Sequence, residues 1–295
     1  MKSKAVSGMM LTLLFIGMLT LVSNIQPAKA WTGGTIQIRA DGSVDPDTAP
    51  ISSVDNITYT LTDDVIYNQT TGGAIVVERD NIVLDGANHT LQGQGYIHLN
   101  SYGIFHSGIG THRNITIKNL KVTEFGAGLH LYNSFDIIIS ENNITNNWDG
   151  IRLFNSSFST ISGNNITKHD SGICLYDSSN NKFYHNNLDN IIQQVDSTNS
   201  TNTWDDGYPS GGNYWSDHVC TGNPSHGSQP YIINQNNTDH YPFQDPNGWL
   251  LAPVGGVWVP VDKLALLAPY IALASTILVA IATTAIYVKR KKKRQ

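Results

Sequence analysis

Residues 143–164 read N-I-T-N-N-W-D-G-I-R-L-F-N-S-S-F-S-T-I-S-G-N, and residues 165–186 read N-I-T-K-H-D-S-G-I-C-L-Y-D-S-S-N-N-K-F-Y-H-N. The second stretch repeats the first with no slip. Extended from Asn114 to Ser200, the 22-residue period aligns Gly128, Gly150 and Gly172 in one column and Leu131, Leu153 and Leu175 in another. Further columns hold Ile117, Ile139, Ile161 and Phe183; Val122, Ile144, Ile166 and Leu188; and Ser134, Ser156, Ser178 and Ser200. A fixed period in the low twenties, built from short apolar runs, marks a solenoid whose coils stack and share one core.

Within a coil, apolar and polar residues alternate. In Gly150-Ile151-Arg152-Leu153 the two aliphatic side chains face inward and Arg152 faces solvent, which is strand behaviour. Asn, Ser and Gly interrupt every apolar stretch too early for a helix. The expected fold class is all-β: a single-stranded parallel β-helix with like positions roughly 4.8 Å apart from coil to coil. Asn143, Asn165 and Asn187 are expected as a buried corner ladder, because asparagine tolerates the left-handed conformation and its amide can bond the amides above and below. Coils are expected over residues 73–203, with Gly73 to Leu84 and Tyr102 to Phe105 as earlier turns out of strict register. Residues 31–72 are expected to form an N-terminal cap.

The chain ends point to export and anchoring. Lys2 and Lys4, the apolar stretch Met9 to Val22, and Ala28-Lys29-Ala30 compose a signal peptide over residues 1–30, so the mature chain is expected to begin at Trp31. Leu264 to Val288 carries no charge for 25 residues, about 37 Å as a helix against a hydrocarbon core of about 30 Å. Six cations, Lys289 to Arg294, follow at once and belong on the cytoplasmic side. The expectation is a single-pass protein with its bulk outside, a connector at 247–263 and a basic tail at 289–295. Outside the signal peptide and tail, 9 basic residues face 23 acidic ones, a charge near −14. Such a surface repels nucleic acid, so no nucleic-acid partner is expected.

Cys174 and Cys220 are the only thiols, and export permits a disulfide between them as well as two separate thiols. Nine N-x-S/T sequons, at Asn56, Asn68, Asn88, Asn114, Asn143, Asn155, Asn165, Asn199 and Asn236, could carry glycan.

After Ser200 the period stops and aromatics gather: Trp204, Tyr208, Tyr214, Trp215, Tyr231, Tyr241 and Phe243. An open solenoid end exposes core and must be covered, so residues 204–246 are expected to form a cap. Rings left exposed there would bind sugar, with Trp204, Asp205, Asp206, Tyr208, Tyr214, Trp215 and Asp217 as the candidate ligand-binding set. The run G-N-Y-W-S-D (Gly212 to Asp217), preceded by W-D-D-G and followed by P-Y-x-I and D-x-Y-P, resembles the C-terminal signature of the NosD-like family. N-I-V-L-D-G (Asn81 to Gly86), G-N-N-I-T (Gly163 to Thr167) and I-R-A-D-G-S-V-D-P (Ile38 to Pro46) extend the resemblance over most of Trp31 to Pro246. It implies a right-handed parallel β-helix of the carbohydrate-binding and sugar-hydrolase type, and a copper-related role for near relatives of the namesake. It also implies an Asp/Gly-rich loop able to hold a hard cation such as calcium; here that loop reads V-C-T-G-N-P-S-H-G-S-Q, without acidic residues. All four methionines fall within Met1 to Met18, so no thioether site for Cu(I) is expected outside.

No histidine pair has compact ligand spacing. A metal site would have to converge from His218, Cys220 and His226. For catalysis, the register aligns His130, Arg152, Cys174 and Asp196 in one outward column, with Asp149 and Asp170 nearby, the carboxylate and arginine types used by β-helix lyases and hydrolases. Any soluble strand face also needs outward polar residues. The leading expectation is therefore a membrane-tethered β-helix that binds glycan or another surface component or serves structurally in the envelope, ahead of a polysaccharide lyase or hydrolase and of a copper-handling protein.

Overall fold

The computed structural model describes residues 30–106 and 110–251. The segments read as signal peptide (all but Ala30), membrane span and basic tail lie outside them, as does the connector from residue 252 onward. Among the described residues no helix is long and apolar enough to cross a membrane.

Three long sheets carry the chain, and strands one coil apart pair in parallel. Each regular coil visits the three in turn: Ile138–Ser140, then Asn143–Thr145, then Asp149–Phe154, before Thr160–Ser162 begins the next coil. For brevity these are the third, first and second sheets. The pairing keeps the 22-residue register: Leu131 meets Leu153 and Leu153 meets Leu175, while Ile144 meets Ile166. The fold is thus the parallel β-helix that the period implies. The sheets also reach upstream of Gly73. Trp31–Gly33, Ile36–Ile38 and Thr58–Leu61 already join the first, second and third sheets, and two antiparallel pairings, Ile38 with Val44 and Ile51 with Leu61, close that end.

The inward columns form one continuous core. Ile117, Ile139, Ile161 and Phe183 are all buried, as are Val122, Ile144, Ile166 and Leu188. The glycine column has a steric cause. A Cβ on Gly150 would stand 2.4 Å from the carbonyl oxygen of Gly172 in the next coil, and one on Gly128 would stand 2.7 Å from that of Gly150.

The buried asparagine ladder is displaced by one residue from its expected place. Asn142, Asn164 and Asn186 are the buried row, and Asn213 extends it. Asn164 Oδ1 accepts from the backbone N–H and the side-chain amide of Asn142, both at 3.0 Å, and Asn164 Nδ2 donates to the carbonyl of Ile139 at 2.8 Å. Asn143 and Asn165 lie outside that row, joined by a surface bond of 2.9 Å, while Asn187 is buried as expected, its Nδ2 donating to Asn247 Oδ1 at 2.9 Å. Strand alternation explains the displacement: Ile144 points in, so its neighbour Asn143 must point out, and the first Asn of N-N-I enters the corner. A second corner is a serine row, in which the backbone N–H groups of Ser134, Ser156 and Ser178 donate to the hydroxyls of Ser156, Ser178 and Ser200. In a third, His169 replaces asparagine. Its Nδ1 accepts from the N–H of Asn147 at 3.0 Å and its Nε2 lies 3.0 Å from the carbonyl of Ile144, which assigns the proton to Nε2. Burial pushes this histidine down to about 4, so it is neutral.

The cap prolongs the core columns. Trp204 stacks on Phe183 at 4.2 Å between centroids, and Trp215 follows Leu188 in register, covered by Tyr231 at 4.0 Å. Two corner ladders end in the strand Asn237–Asp239. Asn237 Oδ1 accepts from the N–H of Asn202 and from Trp204 Nε1, while Asp239 Oδ2 accepts from the N–H of Asn213 and from Trp215 Nε1.

Candidate functional site on the outward face of the second sheet

The register brings the outward column together as read. His130 lies opposite Arg152, Arg152 opposite Cys174, and Cys174 opposite Asp196, with Phe105 below His130. Two positions further along the same strands runs an aromatic row, Tyr132, Phe154 and Tyr176, whose rings follow one another at 5.1 and 6.3 Å. Tyr132 and Phe154 are exposed. Trp148, 37 % exposed, stands at the corner just before Asp149. Neither the aromatic row nor Trp148 figures among the candidate residues read from the sequence. The row's signal was present all the same, because 132, 154 and 176 share the period.

The polar groups of this face are already engaged with one another. Asp149 Oδ2 accepts from Arg152 Nε at 2.9 Å and also from Nη2. Burial alone would lower the Arg152 pKa, but the Asp149 carboxylate outweighs it and holds the guanidinium above its ordinary value. His130 packs edge-on against Tyr102 and Phe105, at 4.6 and 5.5 Å, and its Nδ1 has no partner. Burial, then the charge of Arg152, push it down to about 4, so the ring is neutral. Tyr176 donates to Asp196 Oδ2 at 2.9 Å; burial, then that bond, push the phenol up to about 12. Cys174 is not the outward, solvent-facing thiol expected. It is 2 % exposed, and burial, then Asp149, push its pKa up.

The other candidate residues lie in the cap, and most are occupied there. Trp204 and Trp215 are buried and hydrogen-bonded, so they cover the core and offer no face to a ligand. Asp205 binds His240 at 3.0 Å, Asp206 binds Lys182 and Ser210, and Asp217 accepts from Tyr231 at 3.1 Å. Tyr214 is half-buried, while Tyr208 is exposed beside His226 and Tyr241. His218, Cys220 and His226 do not converge. His218 bonds the carbonyl of Gln229, Cys220 is buried against the carbonyl of Pro242, and His226 lies by Tyr208. Among the described residues no group of three His, Cys, Asp or Glu side chains is placed to hold a metal ion. The disulfide considered for Cys174 and Cys220 is not formed: both are free and buried, one among strands of the second sheet and the other in the cap.

The architecture defines the class, a parallel β-helix closed by an aromatic cap. A family model described as periplasmic copper-binding protein (NosD) matches residues 27–220, about two thirds of the chain. The chain belongs to this family, and the bulk of it is extracytoplasmic. No curated protein and no solved structure matches it.

Proposed function

We propose that this is a membrane-tethered β-helix that binds glycan at the outward face of the second sheet. The observation that carries the reading is the pairing, on one face, of an aromatic row with a row of hydrogen-bonding groups, each advancing one residue per coil. The core does not need either row, because the inward columns already join the coils. The row supplies an apolar rim, and Trp148, apart from it and 37 % exposed, supplies indole surface for a pyranose. Tyr176, Asp196 and the remaining Arg152 N–H groups supply donors and acceptors for sugar hydroxyls. Tethering rests on the uncharged stretch Leu264 to Val288 and the six cations after it.

Turnover finds little support in the same geometry. Arg152 is held by Asp149, Asp196 by Tyr176, and His130 is neutral with a buried nitrogen, so no free base faces a free acid. Copper, named in the family description, does not fit the donors among the described residues: none converge, and burial raises both thiols away from the thiolate that a metal needs. A calcium site lacks acidic ligands for the same reason.

The test is a glycan array probed with the full chain in detergent. Trp148→Ala should lower binding at least about tenfold while leaving the thermal melt unchanged, and Arg152→Ala should lower binding by a similar factor and lower the melt as well, because it strands the buried Asp149 carboxylate. Array binding absent in the parent protein, or undiminished in both variants, would refute the reading.

A further inference from the structure

Resting on that reading, we infer that the glycan bound by this face is an uncharged polysaccharide, not a uronic-acid or other polyanionic one. The four strands Ala127–Tyr132, Asp149–Phe154, Ser171–Tyr176 and Gln193–Thr198 carry one outward arginine, Arg152, two carboxylates, Asp149 and Asp196, and one histidine. Arg152 is the cation that a uronate would seek, and Asp149 already neutralises it through two N–H groups to one oxygen. Asp149 is itself 6 % exposed, so a ligand carboxylate could not displace it without leaving a buried, unpaired charge. His130 adds no charge, since burial and Arg152 keep it neutral.

Asp196 is left as the uncompensated charge of the face, and the exported part of the chain as a whole stands near −14. Repulsion between like charges would therefore oppose every residue of a polyuronate laid along the rows. Among the described residues, what remains on this face for recognition holds no free cation and consists of hydrogen-bonding and apolar groups. Tyr176 and Asp196 form a hydroxyl–carboxylate pair, Gln193 Nε2 donates to Ser171 Oγ at 2.9 Å, and the aromatic row and Trp148 border the strip. Hydroxyl-rich, uncharged sugar with apolar ring faces is the chemistry that matches such a surface.

The experiment titrates the full chain in detergent with neutral β-glucan and mannan fragments and, in parallel, with oligogalacturonate of equal length, at low and at high salt. The expected result is salt-independent binding of a neutral fragment and at least about tenfold weaker binding of oligogalacturonate. Asp196→Asn should narrow that gap, and Asp149→Asn, which frees Arg152, should narrow it further. A thermal melt of each variant verifies folding, and Asp196→Asn, remote from the buried pair, serves if Asp149→Asn does not fold. Salt-sensitive oligogalacturonate binding tighter than neutral binding would overturn this inference and leave the glycan-binding reading standing. If the full chain bound neither fragment nor any glycan on the array, the reading itself would fall and this inference with it.

Discussion

In the coils between Asn114 and Ser200, a polar side chain that enters a corner is answered by the equivalent side chain one period on: Asn142 by Asn164, Ser156 by Ser178, Asn147 by His169, each pair 22 residues apart. In the cap the same ladders are answered by single residues from elsewhere, Asn202 by Asn237 and Asn213 by Asp239, at separations of 35 and 26 residues. The coils are redundant and the cap is not. A coil residue shares its work with copies above and below, whereas Asp239 alone accepts from Trp215, the N–H of Asn213 and the N–H of Tyr241. The polar load at the end of the solenoid is thus concentrated on a few side chains, and substitution should reveal the contrast.

The largest effect is expected at Asp239. Asp239→Ala leaves two buried donors, Trp215 Nε1 and the N–H of Asn213, and the part-buried N–H of Tyr241 without an acceptor, and should cost about 5 kcal/mol of unfolding free energy by chemical denaturation. A loss no greater than that of a coil asparagine would erase the distinction between the two regions. The same residue governs a pH response. Burial pushes its carboxyl up to about 7, against the bonds it accepts from Trp215 and the backbones of Asn213 and Tyr241. Between the unfolded value near 4 and that folded value the native state holds the proton more tightly. The Asp239 contribution to stability should therefore fall as pH rises from about 4 to 7, by at most about 4 kcal/mol, and level off above, while the buried neutral His106, His130 and His169, pushed down to about 3, 4 and 4, act in the opposite sense between about 4 and 6.5. Asp85 and Asp206, held below their ordinary value, act in the same sense as these histidines and only below about pH 4. Denaturation midpoints of the parent and of Asp239→Asn across pH 4 to 8 check this: the stability of the parent relative to the variant should fall as pH rises from about 4 to 7 and stay level above.

Smaller effects are expected in the coils. Asn164→Ala strands two donors of Asn142 and the carbonyl of Ile139, for a loss of about 2–3 kcal/mol. His169→Asn, which restores the residue type found at Asn147 in the same corner, should change stability by less than about 1 kcal/mol at pH 8 and should weaken the loss of stability below about pH 6.5, where the unfolded imidazole takes up a proton that the buried ring, pushed down to about 4, does not. If His169→Asn proved as damaging as Asp239→Ala, coil positions would not be interchangeable.

The inward columns were legible because a repeat that must bury the same face in every coil has to spell that face the same way; Leu131, Leu153 and Leu175 could be placed without coordinates. The asparagine corner was read one residue off, since N-N-I offers two adjacent amides and the reading chose the second, although alternation from the inward Ile144 places Asn143 outward and leaves Asn142 for the corner. The candidate site was partly legible. The column of His130, Arg152, Cys174 and Asp196 followed from the period, but its electrostatics did not, because Asp149, Gly150 and Ile151 are buried in succession and simple alternation fails there. Trp204 and Trp215 carry the same aromatic chemistry whether they bind sugar or close a core, so composition alone could not divide the two uses.

The amino-acid sequence by itself determined that this chain winds into stacked coils of 22 residues, where its core lies and that an aromatic segment follows the last coil, since periodic burial leaves a periodic record. The three-dimensional structure decided which charges neutralise each other, which rings are covered and which two side chains, Asn237 and Asp239, end the ladders. Those outcomes depend on distances between residues that are remote along the chain, and no local pattern encodes them.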